Sequence, residues 1–454
     1  MGFVAAAPLV RNPLLGGGAK PNIIVLMADD LSARELSCYG SPDHATPNLD
    51  ALARDGVKVE TCWATPICSP TRAEIMTGRY GFRTGWFHNS MKPSPDDPHY
   101  NLATSNRTFP QLLRRSGYVT AICGKWQLTG TIEEHAFDEH CLWQSYPGFD
   151  GSVETAIDGK QSGRAARYWH PAVVENGTPV PTTLDDYGPD IFTDFLLDFA
   201  RRHSDGPFLV YYPMLLPHTA WDFERERETH LEVPEVSAAG DQLGIRRSGS
   251  LRSSVEYIDT LVGRIVLGLE QLGLRERTVV FFTSDNGSAG YGKNDTVRER
   301  GPRVPLIVNG PTRVAALGSL DALIDFSDIL PTVVELADGV LPRSYKLDGR
   351  SFAPLLAGRA APQREWIFSC LGDRRFLRTR RWLLDGDKHF WDCGDRRDEA
   401  NYVNVTRSDS PEVRAARRRF KEILERHPPP RRAVVRRAWR NNPCLSPRPI
   451  TIKV

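Results

Sequence analysis

Three unbroken apolar runs, each ending in polar residues, constrain the fold more than any other feature of the chain. Asn22-Ile23-Ile24-Val25-Leu26-Met27 ends in Asp29-Asp30. Phe208-Leu209-Val210-Tyr211-Tyr212 leads to Leu216-Pro217-His218, and Thr278-Val279-Val280-Phe281-Phe282-Thr283 leads to Ser284-Asp285-Asn286-Gly287. Runs of this length without polar alternation read as strands buried on both faces, as in parallel sheets. Pro305-Leu306-Ile307-Val308 is a fourth run of the same kind. Between the runs the spacing is helical: Pro47 to Arg54 after a Thr46 cap, Ile191 to Ala200, Leu251 to Leu272, and Ile329 to Leu336. In the longest, Val255, Ile258, Leu261, Val262, Ile265 and Leu269 share one face. This alternation predicts an α/β fold with a large, mostly parallel sheet flanked by helices on both faces. Ligands in such sheets bind at the carboxyl ends of the strands. That edge here collects Asp, His and Asp-Asn.

The pattern changes after about residue 364. Short strand-like pieces at Glu365–Phe368, Arg375–Arg378, Arg381–Leu384 and His389–Trp391 predict a small antiparallel sheet. Val413, Ala416, Phe420, Ile423 and Leu424 mark one packed helix, which Pro428-Pro429-Pro430 ends. Four segments follow. Residues 1–20 are a flexible leader or a degenerate signal: the positive start is missing, and Pro8, Arg11 and Pro13 break the apolar run. Residues 21–364 form the large domain, 365–430 a small α+β subdomain, and 431–454 a basic Pro/Arg-rich tail read as solvated.

A formal net charge of +2 over 454 residues argues against a nucleic-acid partner. No apolar run approaches the roughly 20 residues that span a bilayer. The 8 cysteines include no C-x-x-C pair, which argues against a zinc site or a redox motif, and they are too few for a disulfide scaffold.

The segment Cys68-Ser69-Pro70-Thr71-Arg72-Ala73-Glu74-Ile75-Met76-Thr77-Gly78-Arg79 predicts a short helix, opened at Ser69-Pro70 and closed near Gly78. Its free N–H groups suit an anion, and Arg72, one turn in, reaches the same point. Asp29, Asp30, Asp285 and Asn286 offer oxygen alone, with three negative charges. Such a set favours a hard cation, calcium if many ligands crowd in and magnesium if geometry is strict. Without Cys or His beside these residues, zinc is disfavoured.

Cys68-Ser69-Pro70-Thr71-Arg72 resembles the C-x-P-S/T-R signature of the type I sulfatases, within the alkaline-phosphatase-like superfamily. Gly124-Lys125-Trp126, Leu216-Pro217-His218-Thr219-Ala220-Trp221, Ser284-Asp285-Asn286-Gly287, Gly292-Lys293 with Arg303-Val304-Pro305, and Asp328-Ile329-Leu330-Pro331-Thr332 resemble further segments in the family's order. The resemblance runs from about Pro21 to at least Asn401. It implies that residues 21–364 are a catalytic domain and that a maturation enzyme oxidises Cys68 to formylglycine. Of the hydrated aldehyde, one hydroxyl attacks sulfur and the other lets the diol collapse and release sulfate. It implies calcium, more than magnesium, on Asp29, Asp30, Asp285, Asn286 and an oxygen of the modified Cys68. Arg72, Lys125, His218 and Lys293 would surround the sulfate, with Lys125 and His218 near the leaving oxygen and Gln127 also contacting substrate. The implied substrate is a sulfated small molecule or sulfated carbohydrate, and the implied location periplasmic or secreted.

Three departures stand out. Gln127 replaces the His usual after G-K-W, and an amide cannot take a proton at neutral pH. Glu299-Arg300-Gly301-Pro302 replaces a Gly-rich stretch, and Ala220 replaces a proline. Two alternatives therefore stay open: a phosphodiester or phosphonate monoester hydrolase of the same superfamily, and a catalytically silent binder of sulfated ligands. Specificity is expected from the loops at Trp86–Tyr100 and Gln144–Pro189. Their aromatic residues Trp86, His88, Trp143, Trp169 and His170 are read as core or surface groups, with sugar stacking as the alternative.

Overall fold

The strand Asn22–Ala28 is buried along its whole length and forms the axis of the main sheet. It pairs in parallel with Thr278–Ser284 on one side and with Phe208–Pro213 on the other. Beyond Phe208–Pro213 come Val119–Gly124 and Glu139–Trp143, also parallel. In this computed structural model, residues 19–143, 167–222, 227–237, 240–395 and 399–430 are described. The basic tail, residues 144–166 of the second specificity loop, and all of the leader except Ala19 and Lys20 lie outside them.

Side chains alternate across the axial strand, as its pleat requires. Ile23, Val25 and Met27 enter one core with the helices Phe109–Arg115 and Ile329–Leu336. Ile24, Leu26 and Ala28 enter the other, with Pro47–Arg54, Gly188–Arg202 and Leu251–Gln271. The six face-sharing residues expected on Leu251–Gln271 are all buried. Helices therefore cover both faces of an eleven-stranded sheet.

The fourth apolar run forms Leu306–Asn309, but it runs antiparallel to Thr278–Ser284. A parallel return needs a crossover along the sheet. Here the chain stays at the carboxyl edge, where Asn286 and Lys293 lie, and the next strand can only run back. Val57–Trp63 follows, antiparallel to Leu306–Asn309 and parallel to Gly318–Asp325. The sheet is thus parallel at its centre and mixed toward its margins.

Thr46 does not cap the helix Pro47–Arg54 through its side chain. Asp259, on Leu251–Gln271, accepts from the backbone N–H groups of Asn48 (3.2 Å) and Leu49 (2.8 Å) instead. A cap supplied by another helix leaves no local sequence signal.

The C-terminal region is a five-stranded antiparallel sheet packed by the helix Pro411–Glu425, whose buried face is Val413, Ala416 and Phe420. Glu299 ties it to the main sheet. Its carboxylate accepts from Trp63 Nε1 (3.0 Å) and Tyr402 OH (2.7 Å) and pairs with Arg378 (3.1 Å). Among the described residues no helix is long and apolar enough to cross a membrane.

Candidate active site

Register brings the polar strand ends together. Ala28 lies opposite Ser284, so Asp29-Asp30 and Asp285-Asn286 leave the sheet side by side. The Asp30 N–H donates to Asp285 Oδ1 (3.1 Å), and Asp30 holds a left-handed φ of 73°. That conformation costs a non-glycine residue energy and is typical of functional positions. Lys125 arrives from the next strand but one. A Cβ on Gly124 would lie 2.3 Å from the Pro213 carbonyl oxygen, at a φ of +102°. Only glycine lets the chain pass there, with the Lys125 N–H donating to that same carbonyl (2.8 Å).

Cys68 opens the helix Cys68–Thr77, every residue of which is buried. The helix starts one residue earlier than expected and ends at Gly78, in the left-handed region. The Thr71 hydroxyl bonds Thr65 Oγ1 (2.8 Å) and accepts from the Thr65 N–H (2.9 Å), pinning the approach to the helix. This gives the hydroxyl of the motif a structural purpose. The helix start is not wholly free for an anion, because the Ser69 N–H donates to Asn89 Oδ1 (3.0 Å).

Cys68 Sγ and one oxygen each of Asp29, Asp30 and Asp285 lie within 4.8 Å of one another, all buried. Each carboxylate has a division of labour. Asp29 meets Lys125 Nζ through Oδ2 (2.7 Å), and its Oδ1 faces Cys68 Sγ (3.6 Å) with Arg72 Nη2 at 3.5 Å on the other side. Asp30 meets Lys293 Nζ through Oδ2 (2.7 Å) and faces Cys68 Sγ through Oδ1 (3.9 Å). Asp285 meets Arg72 Nη2 through Oδ2 (2.6 Å), and its Oδ1 accepts the Asp30 N–H. Asn286 donates through Nδ2 to Asp30 Oδ1 (2.7 Å), while its own Oδ1 is buried without a partner. Three inward carboxylate oxygens and an orphaned amide oxygen fit a hard cation. A buried acceptor left unpaired is otherwise costly.

Burial works against the charge on Asp29, but Lys125, His218, Arg72 and Lys293 outweigh it and hold its carboxyl well below the usual range. Burial, then the neighbouring Asp29, push Asp285 up to about 6. Burial and the Asp285 charge push the Cys68 thiol far up. His218 donates through Nδ1 to the Thr219 carbonyl (2.6 Å), which leaves Nε2 to accept from Lys293 Nζ (2.8 Å). Burial lowers His218 to about 4. Lys293 is the proton carrier of that pair, held charged against burial by the Asp30 and Asp29 carboxylates.

Nine of the ten expected site residues therefore converge. The tenth, Gln127, has a buried Oε1 without a partner, and among the described residues no hydrogen bond joins it to the cluster. Of the loop aromatics, Trp86 and His88 are buried, Arg167 lies over Trp143 at 4.6 Å, and Trp169 packs on Tyr187 (4.8 Å) beneath Arg246 (3.9 Å). A cleft of about 850 Å³ beside Asn48 and Arg264 includes none of the cluster residues.

Two groups near the site carried no signal in the sequence. His230 is opposite Thr219, by continuation of the Ala220–Thr229 pairing, and bonds the Pro217 carbonyl. Arg167 donates to the Thr219 carbonyl (3.2 Å), beside Tyr168, whose hydroxyl bonds the Leu215 carbonyl (2.9 Å). Both reach the His218 loop only through tertiary folding.

The family profile Sulfatase matches residues 21–340. N-acetylgalactosamine-6-sulfatase of Rattus norvegicus is 30% identical over 378 residues, covering 76% of this chain and 67% of that protein. Arylsulfatase D of Homo sapiens is 26% identical over 466 residues, covering 84% and 75%. Among solved structures, Ps i-CgsB superposes with a TM-score of 0.68 at 22% identity, over 89% of this chain and 92% of that one. BT4656 in complex with its substrate D-Glucosamine-2-N, 6-O-disulfate superposes with a TM-score of 0.65 at 19% identity, over 94% and 100%. At these identities the structural likenesses establish the fold.

Proposed function

The chain belongs to the sulfatase family, whose members hydrolyse sulfate esters, and from that premise we propose that it does so with a formylglycine made from Cys68 beside a bound calcium ion. The observation that carries this reading is the division within each carboxylate: one oxygen is held by a cation and, for Asp29 and Asp30, the other is turned toward Cys68. An unmodified thiol there is a poor nucleophile, because burial and carboxylate charge keep it protonated. Oxidised to an aldehyde and hydrated, position 68 would supply a hydroxyl to attack sulfur and a second hydroxyl through which sulfate is released.

Three carboxylates stand against three cations, Arg72, Lys125 and Lys293. The cluster is thus near neutrality before substrate enters, and a sulfate ester needs further positive charge. Asp29, Asp30, Asp285 and Asn286 would hold calcium, which when bound would supply the further positive charge that a sulfate ester needs. Lys125 and Lys293 are positioned to orient the ester and to offer a proton to the departing alcohol oxygen. Neutral His218 accepts from Lys293 and so keeps that ammonium aimed. Gln127 would contact the ester through its amide without taking a proton.

The substrate class follows the relatives: a sulfated small molecule or a sulfated carbohydrate. Hydrolysis of 4-nitrophenyl sulfate by protein coexpressed with a formylglycine-generating enzyme tests the reading. Activity lost in Cys68→Ala supports it. Turnover of a phosphonate monoester in preference to the sulfate favours the superfamily alternative.

A further inference from the structure

Arg72, Lys125 and Lys293 each meet a carboxylate: Asp285, Asp29 and Asp30. Arg167 does not. Its side chain is buried, with the residue only 7% exposed, yet no carboxylate pairs with it among the described residues. Nη1 donates to the Thr219 carbonyl (3.2 Å), and the guanidinium lies over the Trp143 ring at 4.6 Å. Nε is buried without a partner, and the guanidinium's other polar neighbour is the Tyr168 hydroxyl. A desolvated cation without a counter-ion is expensive to hold. Nε, left unpartnered, lies on the side-on edge of the guanidinium, the edge that pairs with oxyanions.

The place of that edge is specific. Thr219's carbonyl accepts both from Arg167 and from His218 Nδ1 (2.6 Å), so the guanidinium stands one carbonyl away from the imidazole of the sulfate site. Lys293 reaches the far nitrogen of the same imidazole (2.8 Å). A molecule whose sulfate lies at Cys68 and whose alcohol portion extends past His218 meets Arg167 next. We infer that Arg167 is a specificity residue that binds a second oxyanion, carboxylate or sulfo group, carried on the alcohol portion of the substrate. This inference rests on the sulfatase reading and narrows its substrate class to sulfate esters with two or more negative charges. Stacking on Trp143 holds the guanidinium plane while its open edge waits for the ligand.

Three aryl sulfates differing at one position provide the test: 3-carbamoylphenyl, 3-carboxyphenyl and 3-sulfophenyl sulfate. Binding to calcium-loaded, full-length Cys68→Ala protein is measured by calorimetry, and hydrolysis by the mature enzyme in parallel. One side-on charged pair corresponds to about tenfold or more in affinity. The protein should therefore prefer at least one anionic compound over the carbamoyl compound by about tenfold, and the two anionic arms tell which oxyanion fits. Added Arg167→Gln should erase the preference, and Arg167→Lys, which keeps charge but loses the planar edge, should retain part of it. Two results overturn the inference: no preference in the parent protein, or equal weakening of neutral and anionic compounds in Arg167→Gln, the signature of a prop for the Thr219 loop. A dianion preference in binding with no turnover of any aryl sulfate would sink the hydrolase reading and leave the Arg167 site standing.

Discussion

Lys293 stands 2.7 Å from an Asp30 carboxylate oxygen while its other contact, 2.8 Å away, is His218 Nε2. One ammonium thus links the metal-type cluster to the imidazole expected near the leaving oxygen. Lys293→Ala should lower kcat on an aryl sulfate by about 10²–10³, equivalent to about 3–4 kcal/mol, the usual effect of removing one well-placed donor. Steady-state kinetics check this. A rise in KM with kcat unchanged would mean that Lys293 only binds the ground state.

Calcium affinity should fall in acid. Burial and Asp29 hold Asp285 at about 6, above its ordinary 3.8. Between those values the metal-free folded protein keeps a proton that the unfolded chain has lost. Stability therefore falls as pH rises through this window, and the full cost is present above about 6. A cation bound by the carboxylate must displace that proton. Apparent calcium affinity should then drop below pH 6, by up to about tenfold per pH unit. Calcium titrations at several pH values, read by thermal stabilisation, measure the slope. A pH-independent affinity contradicts the ligand assignment of Asp285.

Glu299 is buried between Trp63 of the main sheet and Arg378 and Tyr402 of the C-terminal sheet. Glu299→Ala leaves Arg378, fully buried, without its carboxylate. Removing one partner of such a pair costs about 3–5 kcal/mol. Denaturant unfolding should show the loss. A change below about 1 kcal/mol would mean that Arg378's other contacts, Cys393 Sγ (3.3 Å) among them, suffice to hold it.

Gly124→Ala should damage activity through position alone. The added methyl meets the Pro213 carbonyl at 2.3 Å. The backbone must shift, and Lys125, the next residue, moves with it. Displacement of a catalytic group by about 1 Å can cost on the order of 10²-fold in rate. Retained kcat with an unchanged melting temperature would show that the strand end has slack.

Much of this site is readable from the chain because strand ends are local features. Asp29-Asp30 and Asp285-Asn286 each close an apolar run, and parallel pairing with Ala28 opposite Ser284 is enough to join them. The Cys68 helix is readable for the same reason: Pro70 and Gly78 mark it within ten residues. The direction of Leu306–Asn309 was hidden, because an apolar run reads the same in either orientation. Asp259 capping a helix more than 200 residues away, Asn89 closing on Ser69, and Arg167 reaching Thr219 depend on tertiary packing and leave no periodicity behind. Gln127 was expected with the site, yet among the described residues no hydrogen bond ties it there. Neighbouring Lys125 points to Asp29, but that does not fix where the side chain two residues on will lie.

Turnover of sulfate esters by this chain depends on the chemical identity of position 68. Mass spectrometry of the peptide containing Cys68-Ser69-Pro70-Thr71-Arg72, from active protein made with a formylglycine-generating enzyme, tests it most directly. The thiol should be gone, with a carbonyl reactive toward hydrazide reagents in its place. An intact Cys68 thiol in protein that turns over sulfate esters at full rate would contradict it.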